Sequence, residues 1–283
     1  METCENICWQ YKNDLKHLYS LKEIDEFIRM AFLKLSDWNR IDVSLNKKTK
    51  INKDAVLAHK NIINRLSNYE PIQYILQETN FYNLVINVKE GVLIPRPETE
   101  ELVHWVLDFV KDNDHVLDVG TGSGCIALAV KSFSASINVT GLDNSSNAIS
   151  IAQQNSRNLN LDVSFEIDDI LAPRSHYKSW DIIISNPPYI PFSDKKSMHD
   201  NVLNFEPDNA LFVSDDEPLI FYNAVAKFAL KQLNDGGLIF FEIHEKKSDE
   251  TLELLASLGF KEIEIKKDLQ GKNRMIKARF FED

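Results

Sequence analysis

The chain has 283 residues, of which 43% are hydrophobic and 27% are charged, and it carries a net charge of −11. This composition excludes a disordered chain. No apolar run approaches the ~20 residues of a membrane span, and the first residues lack the features of a signal peptide. We therefore expect a cytoplasmic protein without membrane association. The acidic excess lies beyond residue 90, which argues against a general binder of duplex DNA, because such binding depends on basic contacts to phosphate.

Residues 1–71 have the periodicity of a small helical bundle. Apolar side chains recur at intervals of three and four from Leu21 to Leu35 and again from Val56 to Leu66, where Asn52 is a candidate N-cap. The three cysteines form no disulfide framework, and with the seven histidines they show no spacing typical of a metal site. We expect a separate N-terminal helical domain, with substrate docking as its candidate role.

The period changes between residues 72 and 93. Alternating apolar residues from Phe81 to Val88 predict the strands of a β-hairpin that links two domains. Two prolines then flank Arg96 and favour an extended segment, after which Glu98 opens a helix with an apolar face. Residues 94–283 are therefore predicted to form the larger domain.

A glycine-rich turn follows the first buried strand of this domain, His115 to Val119. Glycines at 120, 122 and 124 permit a tight turn and a close approach of a ligand to backbone N–H groups at the start of the helix Cys125 to Phe133. Nucleotide, dinucleotide and sulfonium cofactors all use such turns. Asp143 ends the second strand about 20 residues further on, where an acid can accept hydrogen bonds from both ribose hydroxyls.

The fourth strand, Trp180 to Ser185, ends at the tetrapeptide Asn186-Pro187-Pro188-Tyr189. Nearly every polar group here is an acceptor, because the prolines have carbonyls but no N–H and Asn186 adds a side-chain carbonyl. Such a rigid site can bind an NH2 group, and Tyr189 offers an aromatic face for a planar amide or nucleobase. Two acceptors could orient a poorly nucleophilic amide nitrogen and stabilise the positive charge that develops on it.

The remaining pattern completes the predicted fold. Strands alternate with helices up to a fifth buried strand that begins near Gly237 and ends at Ile243, and the last two strands, Lys261 to Lys266 and Arg274 to Phe281, favour an antiparallel hairpin. We therefore predict an α/β protein with a Rossmann-like doubly wound sheet and a C-terminal antiparallel hairpin, preceded by the helical bundle.

Several separated motifs together carry a family resemblance. The glycine loop, Asp143, the tetrapeptide and the closing hairpin resemble a class I methyltransferase that uses S-adenosylmethionine. Three further segments make the chain similar to the bacterial release factor glutamine methyltransferases, the HemK or PrmC family. These segments are Leu93-Ile94-Pro95-Arg96-Pro97-Glu98-Thr99-Glu100, Phe205-Glu206-Pro207 and Asp268 to Arg274.

The resemblance implies methyl transfer from S-adenosylmethionine to the side-chain amide nitrogen of the glutamine in the Gly-Gly-Gln motif of peptide chain release factors. We also expect a monomer, and the acidic charge argues against a stable complex with nucleic acid. The implied cofactor-binding residues are Gly120, Thr121, Gly122, Ser123 and Gly124 around the methionine end, Asp143 at the ribose, Asp169 near the adenine, and Asn186. The implied catalytic residues are Asn186, Pro187 and Tyr189, which with Pro188 also bind the substrate glutamine.

Three positions depart from the family pattern. Members usually carry an aromatic residue where Asp169 stands, a glycine where His244 stands, and a glycine where Asn83 stands. His244 is a candidate base for the proton that a methylated amide loses, although a histidine at a strand end is more often a hydrogen-bonded surface residue.

Three other functions are compatible with parts of the sequence. An N6-adenine methyltransferase of nucleic acid would use the same tetrapeptide on an exocyclic amine, but it needs a basic path for phosphates. A NAD-dependent dehydrogenase would use Gly122 to Ala127 and leave the tetrapeptide unexplained. A methyltransferase-like domain kept only for binding partners would not need the loop, the acid and the tetrapeptide together.

Overall fold

The computed structural model describes residues 2–174 and 179–282, without the side chain of Ser197. The chain divides into two compact units. A helical unit comprises the chain up to Gln77 together with His199–Phe205, and a sheet unit comprises Glu78–Met198 and the chain from Glu206 onward.

The helices and strands have the following bounds. The helices are α1 (Cys4–Leu15), α2 (Leu21–Ser36), α3 (Arg40–Leu45), α4 (Lys53–Leu66), α5 (Ile72–Leu76), α6 (Pro97–Leu107), α7 (Cys125–Phe133), α8 (Ser146–Leu159), α9 (Asp200–Leu203), α10 (Asp208–Leu211), α11 (Ile220–Gln232) and α12 (Ser248–Ser257). The strands are β1 (Glu78–Phe81), β2 (Leu84–Asn87), β3 (His115–Val119), β4 (Asn138–Asp143), β5 (Ser164–Ile167), β6 (Trp180–Ser185), β7 (Ile190–Pro191), β8 (Phe212–Val213), β9 (Leu233–Glu242), β10 (Lys261–Lys267) and β11 (Asn273–Arg279). No helix among these described residues is long and apolar enough to cross a membrane.

The helical unit is built from capped amphipathic helices. The Asn52 side chain accepts a hydrogen bond from the Ala55 N–H at 2.8 Å and so caps α4, while Ser20 and Glu23 form a capping box at the start of α2. The apolar faces of these helices bury one core that includes Tyr11 and Phe32. The predicted bundle is thus present as a set of short helices around a single core.

The sheet unit contains a seven-stranded sheet in the order β10-β11-β9-β6-β3-β4-β5. The five strands from β9 to β5 are parallel, whereas β11 pairs antiparallel with both β9 and β10. The mostly apolar and mostly buried residues of β3 and β6 suit central strands that are covered on both faces. The predicted doubly wound sheet with a C-terminal antiparallel hairpin is confirmed.

The order of the strands reverses between β3 and β6. The chain leaves β3 towards β4 and β5 on one side, and from β6 it continues towards β9 on the other side. Val119 pairs with Ser185 at the carboxyl ends of these two strands, and the Ser185 hydroxyl donates to the Val119 carbonyl at 2.7 Å. A ligand crevice is expected at such a reversal, because the two connecting loops diverge there.

Some predicted elements differ from the structure. The segment that begins at residue 72 starts with the helix α5, because Ile72–Leu76 bury apolar side chains in the helical core before the hairpin begins at Glu78. The fifth parallel strand starts at Leu233, earlier than predicted, since β9 continues through the glycine turn.

In the β1–β2 hairpin, Tyr82 and Asn83 have positive φ values of 48° and 62°, a conformation that asparagine tolerates better than most residues.

Candidate active site

The loop after β3 has a backbone that only glycine adopts readily. Gly120, Gly122 and Gly124 have φ values of 76°, 55° and 81°. A Cβ atom on Gly124 would lie 3.0 Å from the Cβ of Ala152, so a side chain there would also clash with the neighbouring helix α8. The loop therefore packs closely while its N–H groups remain near the start of α7.

Asp118 holds the loop from within β3. Its Oδ2 accepts hydrogen bonds from the Thr121 hydroxyl at 2.6 Å and from the Ala127 N–H at 3.2 Å. Its Oδ1 and the Ser123 hydroxyl are buried, and neither has a hydrogen-bond partner among the described residues. Burial raises the pKa of Asp118 to about 7, against the lowering effect of these hydrogen bonds.

Asp143 lies at the end of β4, as predicted, beside this loop. Its Oδ2 accepts a hydrogen bond from the Gly122 N–H and its Oδ1 accepts one from the Ser145 N–H, both at 2.9 Å. Each carboxylate oxygen keeps a second lone pair that can accept a ligand hydroxyl. Burial raises the pKa of Asp143, although both backbone hydrogen bonds oppose this shift.

A single cavity joins the loop after β3 to the tetrapeptide after β6. The predicted site residues that line it are Gly120, Gly122, Asp143, Asp169, Asn186, Pro187 and Pro188. Those that do not line it are Thr121, Ser123, Gly124 and Tyr189. The structure also places Asp168 in the lining, beside Asp169; this acid is held by Arg174, whose backbone N–H donates to Asp168 Oδ2 at 3.2 Å.

Asn186 belongs to a chain of hydrogen bonds that the sequence did not reveal. Its Nδ2 donates to Thr99 Oγ1 at 3.2 Å, and the Thr99 hydroxyl in turn donates to Glu242 Oε2 at 2.6 Å. The other oxygen of that carboxylate, Oε1, accepts from the Tyr189 hydroxyl at 2.9 Å. Tyr189 thus contributes its hydroxyl to a buried network.

Glu242 is the only acid in the apolar strand β9 whose side chain is fully enclosed, with 2% of its surface exposed. Burial raises its pKa, while the hydrogen bonds from Thr99 and Tyr189 and the positive charge of Arg274 lower it. The sequence signal that could have identified Glu242 as a site residue is its position as an acid within the otherwise apolar run from Leu238 to Ile243. Apart from its position in a segment that contains two prolines, nothing in the sequence indicated that Thr99 is a site residue.

The segment before Thr99 is fixed by a second carboxylate. Glu206 accepts hydrogen bonds from the Ile94 N–H at 3.1 Å and from the Arg96 guanidinium at 2.5 Å. Two of the segments that narrowed the family resemblance are therefore in direct contact. This contact explains how a chain segment distant in sequence is held beside Asn186.

His244 lies near Tyr189 but outside the lining of the cavity. The two rings meet edge to face with centroids 6.0 Å apart, and His244 Nδ1 accepts from the Lys246 N–H at 3.2 Å. Burial lowers the pKa of His244, against the charge of Asp194. His244 is therefore a hydrogen-bonded histidine whose side chain is only 14% exposed, and a role as base stays a hypothesis.

The arrangement can bind a ligand that carries hydroxyl groups and a positive charge beside an acceptor-rich site. The Asp143 carboxylate and the backbone of Gly120 and Gly122 line one part of the cavity, and the tetrapeptide supplies a rigid wall. The buried, unpartnered Asp118 Oδ1 and Ser123 hydroxyl lie at the same loop. These groups fit a nucleoside cofactor with an amino-acid moiety.

Comparison with known families supports this chemistry. Residues 101–205 match the family model described as the methyltransferase small domain. A release factor glutamine methyltransferase from Flavobacterium psychrophilum is 38% identical over 281 residues, which cover 98% of this chain and 99% of the relative. The protein of the same name from Streptococcus pneumoniae is 40% identical over 219 residues, 77% of each chain.

Solved structures agree with the fold. A methyltransferase from Pyrococcus furiosus superposes with a TM-score of 0.56 at 17% identity, covering 79% of this chain and 100% of that one. The 16S rRNA N2 G1207 methyltransferase of Thermus thermophilus gives a TM-score of 0.53 at 17% identity, covering 71% and 49%. At these identities the likeness shows the fold alone. The extended matches to curated relatives show more, and the chain belongs to the release factor glutamine methyltransferase family.

Proposed function

We propose that this protein transfers a methyl group from S-adenosylmethionine to the side-chain amide nitrogen of the glutamine in the Gly-Gly-Gln motif of peptide chain release factors. The observation that carries the proposal is one cavity lined by both the glycine loop and Asn186-Pro187-Pro188, in a chain of this family. The two halves of the reaction, methyl donor and acceptor amide, then share one crevice.

The cofactor half of the cavity is assigned to the loop and to the acids beside it. Gly120 and Gly122, the two loop residues that line the cavity, would lie at the methionine end. Asp143 would accept hydrogen bonds from the ribose hydroxyls, and Asp168 with Asp169 would lie at the adenine. When bound, S-adenosylmethionine supplies an electrophilic methyl group. The rigid loop, fixed through Asp118, contributes by holding its backbone in one conformation before the cofactor arrives.

The acceptor half is assigned to the tetrapeptide. Asn186 and the Pro187 carbonyl would accept the two hydrogens of the glutamine NH2 group. Pro188 would line the site beside them, and Tyr189 would support it through its hydrogen bond to Glu242. An amide nitrogen is a weak nucleophile because its lone pair is delocalised into the carbonyl. Acceptors that orient the nitrogen and stabilise its developing positive charge therefore act mainly in the transition state.

The N6-adenine methyltransferase is the nearest alternative, because an exocyclic amine would make the same contacts with Asn186. The family membership does not favour it, and neither does the acidic excess beyond residue 90. A dehydrogenase is not favoured either, since no part of that chemistry uses the tetrapeptide.

The test is methyl incorporation with labelled S-adenosylmethionine. The purified protein is incubated with an unmodified release factor and, separately, with the same factor in which the Gly-Gly-Gln glutamine is replaced by alanine. Label on the first factor alone is the expected result. Label on nucleic acid with none on either factor would support the alternative, and no label despite measured cofactor binding would contradict the proposal.

A further inference from the structure

The Asn186 side chain poses a question of direction, because its amide has an acceptor end and a donor end of nearly the same shape. Only the oxygen can accept a hydrogen bond from a substrate NH2 group. If the amide were reversed, its own NH2 group would face the substrate nitrogen. The site therefore works only if something fixes the orientation of this amide.

The buried network fixes that orientation by a simple count of hydrogens. An ionised carboxylate only accepts, so Glu242 Oε2 takes the single hydrogen of the Thr99 hydroxyl, over a distance of 2.6 Å. Thr99 Oγ1 then has only lone pairs to offer to Asn186. The group of Asn186 that faces Thr99 at 3.2 Å must be the donor Nδ2, which leaves Oδ1 for other partners.

Burial makes this constraint strong. Thr99 has 3% and Glu242 2% of its surface exposed, so water cannot readily supply a replacement partner. The second carboxylate oxygen is occupied by the Tyr189 hydroxyl at 2.9 Å, which keeps the carboxylate from turning. A reversed Asn186 would bring two donors, its own NH2 group and the substrate's, towards each other and would bring two acceptors together at Thr99.

We propose that Thr99 and Glu242 are positioning residues that point the Asn186 carbonyl at the substrate, so that the site accepts a primary amide and rejects a carboxylate. This inference rests on the proposed function and adds a basis for substrate selection to it. The glutamine is recognised as an NH2 donor, whereas a glutamate at the same position presents oxygens to the Asn186 oxygen and to the tetrapeptide carbonyls.

The test uses Thr99→Val, which keeps the shape of the side chain and removes its hydroxyl, and Thr99→Ser, which keeps the hydroxyl. Three quantities are measured for each: kcat and KM with the unmodified release factor, the Kd of S-adenosylhomocysteine, and the inhibition constant of a release factor whose Gly-Gly-Gln glutamine is replaced by glutamate. We expect Thr99→Val to lower kcat ~10- to 100-fold with an almost unchanged cofactor Kd, and Thr99→Ser to recover most of the loss.

The inhibition constant separates positioning from general damage. A freely turning Asn186 can offer its NH2 group to a carboxylate, so the Thr99→Val variant should bind the glutamate factor ~10-fold better relative to the glutamine factor than wild type does. A variant that is only loosened would weaken both factors in parallel and leave their ratio unchanged; that result would overturn the inference. Wild-type turnover by Thr99→Val would also overturn it, whereas an inactive wild type would instead refute the proposed function.

Discussion

Glu206 and Arg96 are 110 positions apart in the chain, and the Glu206 carboxylate accepts a hydrogen bond from the Arg96 guanidinium at 2.5 Å. The Glu206 side chain is 1% exposed and that of Arg96 34%. The same carboxylate accepts the Ile94 N–H, so one acid fixes both the backbone and a side chain of the segment that leads to Thr99. The acceptor side of the candidate site depends on this contact.

Removing the carboxylate should destabilise the sheet unit. Glu206→Ala leaves the Ile94 N–H and Arg96 without their partner, and we expect a loss of about 1–3 kcal/mol in the free energy of unfolding, measured in urea. Asp208→Ala is the matched control, because Asp208 pairs with Lys195 at the surface and such a pair contributes at most ~1 kcal/mol. An equal decrease in the free energy of unfolding of the two variants would show that the Glu206 contacts stabilise the sheet unit no more than a surface ion pair does.

Asn186→Ala should separate turnover from cofactor binding. The substitution removes the acceptor for the substrate NH2 group, so we expect turnover to fall at least ~100-fold while S-adenosylhomocysteine binding largely persists. Asn158→Ala, which changes an exposed amide on α8, serves as the control and should leave turnover unchanged. Turnover close to that of wild type in Asn186→Ala would contradict the assigned role.

Asp169→Phe should tighten cofactor binding. Asp169 is exposed in the cavity lining, and its Oδ1 accepts a hydrogen bond from the N–H of the nearby Leu171 at 3.0 Å. An aromatic ring there could stack on the adenine, and we expect a Kd for S-adenosylhomocysteine that is ~2- to 10-fold lower by calorimetry. Asp162→Phe, at an exposed position outside the lining, should have no effect. Weaker binding in Asp169→Phe would place the adenine elsewhere.

We expect kcat to decrease at low pH because Glu242 becomes protonated. Burial raises its pKa, so the carboxyl takes up a proton at a higher pH than an ordinary glutamate. A protonated Glu242 can donate to Thr99 and release the fixed direction of Asn186, so kcat should decline as pH falls through this raised pKa. The titratable and charged groups around it are Glu98, Tyr189, Tyr222 and Arg274. Glu242→Gln should have a lower kcat without this decline; an unchanged pH profile would contradict the role of the carboxylate.

The helical unit should lose stability in acid because of His59. This side chain is 1% exposed and contacts the Tyr11 hydroxyl through Nδ1 at 3.1 Å, and burial lowers its pKa to about 4. Between pH 6.5 and 4 the unfolded chain binds a proton that the folded chain does not. The free energy of unfolding therefore decreases as the pH is lowered over this range, by about 3 kcal/mol in total. His59→Gln should lack this part of the pH dependence. Identical pH dependences of the two proteins would show that His59 does not titrate in this way.

Hydrophobic periodicity and the positions of glycine and proline predicted the helices and strands that carry the candidate site. The helix Cys125–Phe133 was predicted with its observed bounds, and the strands that carry the glycine loop and Asn186 were placed correctly because β-branched runs end at a glycine or proline. The short helix Ile72–Leu76 was missed, since five residues give too little periodicity. Thr99 and Glu242 were missed as site residues for another reason: they are 143 positions apart, and their contact depends on how α6 packs against β9.

The position of the transferred methyl group is the most direct test of the proposed reaction. The release factor is incubated with the protein and S-adenosylmethionine, digested, and sequenced by tandem mass spectrometry. We predict one added methyl group on the side-chain nitrogen of the Gly-Gly-Gln glutamine with the wild-type protein, and almost none with Asn186→Ala. A methyl group on any other residue, with this glutamine unmodified, would contradict the assignment of Asn186-Pro187-Pro188-Tyr189 as a glutamine site.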